Sequence, residues 1–194
     1  MLAKGDAKEI PMRIARLFVA AALMAAAAPS LAGAQVESTP IPAPGKPNFS
    51  AMNFLIGTWT CSTKSSRRPA AYSTVSTYTM DPTGYWIEET STTNKTSWSP
   101  KLTIMDKYTY DPDTHRWADV TYGDQGTFGL AFSSGWDGSK IIWHDVSFAP
   151  GPNVTAQSNV TNTKVSDGKY TTASTFTETK TSRVVSVTGV CTKR

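Results

Sequence analysis

Five turn sequences at regular intervals constrain this chain more than any other feature. They are Asp81-Pro82-Thr83-Gly84, Asp111-Pro112-Asp113-Thr114, Gly123-Asp124-Gln125-Gly126, Asp137-Gly138 and Asp167-Gly168. In each, Asp caps its own turn, Pro presets φ, or Gly takes positive φ. Between and around them lie ten short segments, near residues 57–63, 71–80, 84–93, 101–110, 116–122, 127–134, 139–147, 154–165, 169–179 and 183–192, with no long amphipathic helix among them. Hairpin-length links join antiparallel neighbours, whereas parallel strands need crossover helices. Such even spacing predicts an all-β fold, either an antiparallel up-and-down barrel of about ten strands or a sandwich.

The alternation within the strands separates these two. Phe128, Leu130 and Phe132 share one face of their segment, but residues 71–80 alternate Tyr72, Thr74, Ser76, Tyr78 and Met80 against Ser73, Val75, Thr77 and Thr79. Several strands therefore lack a strongly apolar face. A packed sandwich normally shows two clean apolar faces. A barrel with a partly polar lumen tolerates the pattern better, so the barrel is the expected fold.

The ends of the chain point to a compartment. From Met12 the sequence reads Met-Arg-Ile-Ala-Arg, then an apolar run from Leu17 to Ala28, then Pro29-Ser30-Leu31-Ala32-Gly33-Ala34. These are the three parts of a secretory signal peptide, so residues 1–34 are expected to be a cleaved leader, with Met12 a possible true start. The run is shorter than the ~20 apolar residues of a membrane span. Residues 35–47 are Pro-rich and predict a flexible extended segment before a single domain over 48–194. A secreted or periplasmic bacterial protein is the expectation.

Charge and cysteine content narrow the function classes. Residues 1–34 hold four basic and two acidic residues, so the formal net charge of +4 falls to +2 without them. No Lys/Arg cluster remains beyond Lys64 to Arg68, which disfavours nucleic acid as a partner. The only two cysteines, Cys61 and Cys191, both lie in the exported part and are expected to pair. If they sit directly opposite each other on antiparallel strands, Trp59 opposes Lys193 and Thr58 opposes Arg194.

The block Phe54-Leu55-Ile56-Gly57-Thr58-Trp59 resembles the first-strand motif of lipocalin-like (calycin) barrels, and the layout is similar to an uncharacterised bacterial branch of that group related to nitrobindin-like barrels. Gly57 allows a sharp bend at the rim, and Trp59 is expected to plug the closed end. The resemblance implies a basic side chain packed on that indole, with Lys193, Arg194 and Arg183 as candidates. It also raises haem as a cofactor, held by a histidine near the C-terminal strand. Here that strand reads Val187-Thr188-Gly189-Val190-Cys191, so haem is disfavoured and no cofactor is expected.

Candidate chemistry is sparse. The chain has two histidines. His115 falls in a turn and is expected to be solvated. His144, mid-strand after Trp143, is the candidate catalytic residue, with an imidazole that titrates near neutrality. Asp145 points to the opposite face, so a partner would come from Glu89, Asp106 or Asp119. Leu102, Ile104, Asp106, Tyr108 and Tyr110 share a face. If it is the lumen, Asp106 is a buried carboxylate in need of a partner; if it is the exterior, Asp106 is ordinary surface. No metal-ligand set, nucleophile elbow, phosphate loop or dinucleotide fingerprint is present.

Three functions fit these features. The first is a barrel holding a small hydrophobic or amphipathic ligand against Trp143, His144, Tyr108, Asp106 and Trp117, with Trp86, Trp136 and the tyrosines adding to the aromatic supply. The second is a small enzyme using His144 and a carboxylate for proton transfer in the lumen. The third is an interaction or inhibitor protein working through rim loops near 64–70, 94–100 and 147–153.

Overall fold

The computed structural model describes residues 43–149, 158–178 and 181–194. The expected leader, residues 1–34, and most of the Pro-rich segment lie outside the described residues. Residues 43–47 carry no regular secondary structure. A 3-10 turn at Asn53–Leu55 then leads into eleven strands: β1 (Gly57–Ser65), β2 (Tyr72–Met80), β3 (Ile87–Thr93), β4 (Leu102–Asp111), β5 (Arg116–Gly123), β6 (Phe128–Ser133), β7 (Trp136–Asp137), β8 (Lys140–Ala149), β9 (Asn159–Ser166), β10 (Lys169–Thr177) and β11 (Val184–Lys193).

The turn chemistry explains the hairpins. Asp81 holds the β2–β3 link: its Oδ1 accepts the backbone N–H of Tyr85 and of Trp86, each at 3.0 Å, while Gly84 takes φ +74°. Asp111 does the same for the β4–β5 link, its Oδ1 accepting the Asp113 N–H at 3.0 Å. His115 closes that turn with φ 54° and is exposed. These short links make each strand pair with its neighbour in the chain, β6 reaching β8 past the two-residue β7. The remaining pair, β1 with β11, closes the sheet on itself. The fold is an all-β, closed, antiparallel ten-stranded barrel in up-and-down order, with β7 as a small extra strand on β8.

The closing seam is tied covalently. Cys61 and Cys191 face each other in the β1–β11 register and form a disulfide, with Cα atoms 4.0 Å apart. In the same register Trp59 pairs with Lys193.

One end of the barrel is filled. Phe49 and Met52 precede the 3-10 turn, which buries Phe54 and Leu55, and all four join Trp59, Ile87, Ile141, Trp143 and Tyr170 in the core. Asn48 shapes the approach, its Oδ1 accepting the Ser50 N–H at 3.0 Å. Trp59 is 0% exposed, and its indole N–H donates to Leu55 O at 2.6 Å. Lys193 covers the other side, with Nζ 5.4 Å from the indole centroid and donating to Phe54 O at 2.9 Å. Gly57 has φ +124°, and a Cβ there would lie 3.0 Å from Lys193 Cε. Hence the chain enters β1 through a bend that a side chain would strain and crowd.

Candidate ligand-binding cavity

Parity in the strands fixes what the lumen contains. Cys61 and Thr63 on β1 point inward, and the registers carry that face round the barrel to Thr74, Ser76 and Tyr78, then Glu89, Ser91 and Thr93, then Ile104, Asp106 and Tyr108. Asp119 and Thr121 follow on β5, with Trp143 and Asp145 on β8 and Tyr170 on β10. Above the filled end these side chains enclose a cavity of about 470 Å³. Inside the floor itself only about 10 Å³ remains, between Met52, Phe54, Tyr108, Trp136 and neighbouring rings. The floor is solid and the hollow begins above it.

The cavity has three tiers. At its base the rings of Tyr78 and Tyr108 stack at 6.5 Å, and Tyr108 meets Trp143 at 5.5 Å. The hydroxyls of Tyr78 and Tyr170 are 3.1 Å apart. Next comes a belt of carboxylates. Glu89, 8% exposed, lies directly across from Asp106 in the β3–β4 register, and Tyr108 lies across from Asp119 in the β4–β5 register. Towards the loop end the wall turns to hydroxyls and apolar groups. There Thr74 and Thr93 share a hydrogen bond at 2.8 Å, and Tyr72 meets Trp98 edge-on at 5.7 Å. Arg68 lies over the Trp98 ring at 4.7 Å.

The belt is under electrostatic load. Glu89 Oε2 accepts from Tyr108 OH at 2.8 Å, Asp106 Oδ1 accepts from Thr121 Oγ1 at 2.6 Å, and Asp145 accepts from Ser158. Asp119 Oδ1 is buried with no hydrogen-bond partner. Among the described residues no Lys, Arg or His forms an ion pair with any of the four. Burial disfavours the charged form of a carboxyl, and like charges reinforce the effect. Burial therefore lifts Asp106 to about 8, with the Glu89 charge adding and the Thr121 hydrogen bond opposing. Burial also raises Glu89, against the hydrogen bond from Tyr108, and raises Asp119 strongly, with the charges of Asp106, Glu89 and Asp145 adding. Asp145 is raised by the same desolvation.

The residues singled out from the sequence divide. Asp106, Tyr108 and Trp143 meet in the cavity wall. Trp117 does not: it packs on Phe49 and Tyr110, each at 5.4 Å, in the filled end. Trp136 is likewise floor, 5.5 Å from Phe54, and Trp86 sits in the β2–β3 link. His144 is a correction. It is exposed on the outer face of β8, where Nδ1 meets Asn159 Oδ1 at 2.8 Å. Strand parity puts it on the side away from Glu89, Asp106 and Asp119, so it cannot share a proton with them in the lumen. Tyr78 and Tyr170 enter the wall from the wider tyrosine supply, without having been singled out, and Trp98 and Asp145 join it with no signal in the sequence. Tyr78 was within reach, since it shares parity with Thr74 and Ser76. Trp98 lies in a link between strands, where no periodicity applies.

Among the described residues no three His, Cys, Asp or Glu side chains are grouped so as to hold one metal ion. No helix among them is long and apolar enough to cross a membrane.

No protein-family model matches the chain, and no curated protein matches it. Among solved structures, a redesigned β-barrel is similar at a TM-score of 0.39 and 10% identity, over 74% of this chain and 95% of the other.

Proposed function

We propose that this protein binds a small amphipathic molecule in its barrel lumen, and that it does so after export, as a secreted or periplasmic bacterial protein of lipocalin-like type. The observation that carries the reading is the cavity of about 470 Å³ above a solid aromatic floor. Ligand sites typically enclose ~300–1,000 Å³ and combine apolar and ring surface with a few polar groups that fix orientation. Here the rings of Tyr78, Tyr108, Trp143 and Tyr170 form the base, and Glu89, Asp106 and Asp119 supply the polar groups. A barrel built only for packing would fill its centre, as the floor does. Export is supported by the three-part leader pattern and by the Cys61–Cys191 disulfide.

The lumen can be blocked without touching the exterior. Ser174 lines the cavity, and its neighbour Ala173 is exposed and does not line it. Ser174→Phe is expected to abolish uptake of a fluorescent apolar probe, while Ala173→Phe leaves it unchanged. Native mass spectrometry of purified protein should show small-molecule adducts on the wild type and not on Ser174→Phe. Equal uptake by both variants would remove the lumen as the site.

A further inference from the structure

We propose that the cavity selects an organic cation: a molecule with one protonated or quaternary nitrogen on a ring or short apolar body. This rests on the lumen being a ligand site and specifies the chemistry of what enters it.

Three independent observations converge. First, the cavity wall concentrates carboxyl groups and, among the described residues, gives none of them a basic partner. Glu89, Asp106, Asp119 and Asp145 all face the hollow, and the one basic residue lining it among the described residues, Arg68, is at the loop end and stacked on Trp98. Second, Asp119 Oδ1 is buried and unpartnered. A buried acceptor left unmade is costly, and such groups commonly mark a place where a donor is supplied from outside. Third, the base of the cavity is lined by the rings of Tyr78, Tyr108 and Trp143, and aromatic rings are surfaces on which cations are favourably held. An anion would gain nothing from ionising the belt, since each carboxylate formed would repel it. A neutral apolar body would leave Asp119 Oδ1 unpaired. An organic cation satisfies both the belt and the rings. The belt is not arranged for a metal ion, since among the described residues no three acidic side chains are grouped to share one.

Binding should be linked to protons. The titratable groups facing the belt and the rest of the cavity are Tyr72 and Tyr78 from β2, Tyr108 from β4 and Tyr170 from β10, all of them pushed above the usual phenol range by burial, and Arg68 at the loop end. The lumen-lining residues of β1, β6, β9 and β11 add no titratable group: the two cysteines are joined, and the others are neutral. His144 beside Asp145 faces outward. A free cavity near neutral pH therefore retains protons on the carboxylates that burial has raised. A bound cation favours their ionised forms, so protons leave as it enters.

Isothermal titration with a matched set decides the matter: 1-naphthalenemethylamine, 1-naphthalenemethanol and 1-naphthoate, alike in ring and different in charge. The amine is expected to bind at least about tenfold tighter than the alcohol, and the carboxylate weakest, a tenfold step being about 1.4 kcal/mol. Titration of the amine at pH 7 in two buffers of different ionisation enthalpy should reveal proton release. Asp119→Asn, and separately the triple change Glu89→Gln, Asp106→Asn, Asp119→Asn, should remove the advantage of the amine and keep alcohol binding, which also reports that the barrel is folded. If amine and alcohol bind equally, or the triple variant keeps the preference, the cation assignment is overturned while the lumen site stands. If none of the three binds to wild type and Ser174→Phe takes up probe as wild type does, the lumen reading itself fails.

Discussion

At Gly57 the backbone takes a φ of +124° that L side chains rarely adopt, and the space where a Cβ would sit is already occupied by Lys193 Cε at 3.0 Å. Lys193 is not free to swing away, because its ammonium is hydrogen-bonded to Phe54 O and lies over Trp59. Gly57→Ala is therefore expected to destabilise the barrel by about 2 kcal/mol, most of it backbone strain of the order of 1–3 kcal/mol. In a Lys193→Ala background the cost should shrink, because the steric part vanishes; urea denaturation of the four-member cycle measures it. Identical costs in both backgrounds would show that Lys193 does not hold the bend. Trp59→Ala should cost more, about 3–5 kcal/mol, since it empties the centre of a packed floor. Its burial is complete and its N–H is satisfied by Leu55 O.

Among the strands, nine of the ten barrel pairings join neighbours in sequence or, for β6 and β8, near neighbours, so their loop-closure cost is small. The β1–β11 pair alone spans the whole domain, and the disulfide lies on it, bridging a sequence separation of 130 residues. By the chain-entropy relation such a loop contributes about 4–5 kcal/mol. The double change Cys61→Ser, Cys191→Ser should lower the melting temperature by about 10 °C, at ~2–4 °C per kcal/mol for a domain of this size. Hydrogen exchange should then rise first at the β1–β11 seam. A uniform rise across all strands would show that the seam is not a separate weak point. Much of this element-level order was legible in the sequence, because turns such as Asp81-Pro82-Thr83-Gly84 carry their own geometry and the two cysteines can only pair with each other. What was not legible was which face of each strand looks inward. The lumen wall is largely Thr, Ser and acidic, as at Thr74, Ser76, Glu89 and Ser91, so polarity does not mark the solvent side. His144 shows the consequence. Its neighbours Ile142 and Trp143 are both apolar, yet Ile142 is 42% exposed and Trp143 3%. Hydrophobicity alone therefore gave no parity, and only the closed register put the imidazole outside.

For the molecule as a whole, the buried belt makes folding stability depend on pH in an unusual direction. Asp106 moves from its usual 3.8 to about 8, and Glu89, Asp119 and Asp145 are raised as well, so between these limits the folded barrel binds more protons than the unfolded chain. Stability falls with rising pH wherever the native state holds more protons. The contribution is thus fully present below about pH 4, the ordinary carboxyl range, and is lost as pH climbs through about 8. The exposed turn carboxylates work oppositely. Asp81, Asp111 and Asp167 are held below the usual range by hydrogen bonds from Thr83, Thr114 and Lys164, so their contribution disappears as pH falls below about 4. Together these place the maximum stability of ligand-free protein on the acid side, near pH ~4, with a decline towards pH 8 of about 1.4 kcal/mol per unit for each proton the folded barrel holds in excess of the unfolded chain. Urea midpoints at pH 5, 6.5 and 8 should show that decline, and Asp106→Asn should flatten it, because the amide removes a charge that nothing in the wall neutralises. A midpoint that rises from pH 5 to 8 would mean the belt is already compensated in the free protein. The decline also separates a ligand from a mere stabiliser: a cation seated in the lumen should restore the pH 8 midpoint and leave the pH 5 midpoint nearly unchanged, since only at the higher pH are the carboxylates ionised without a partner.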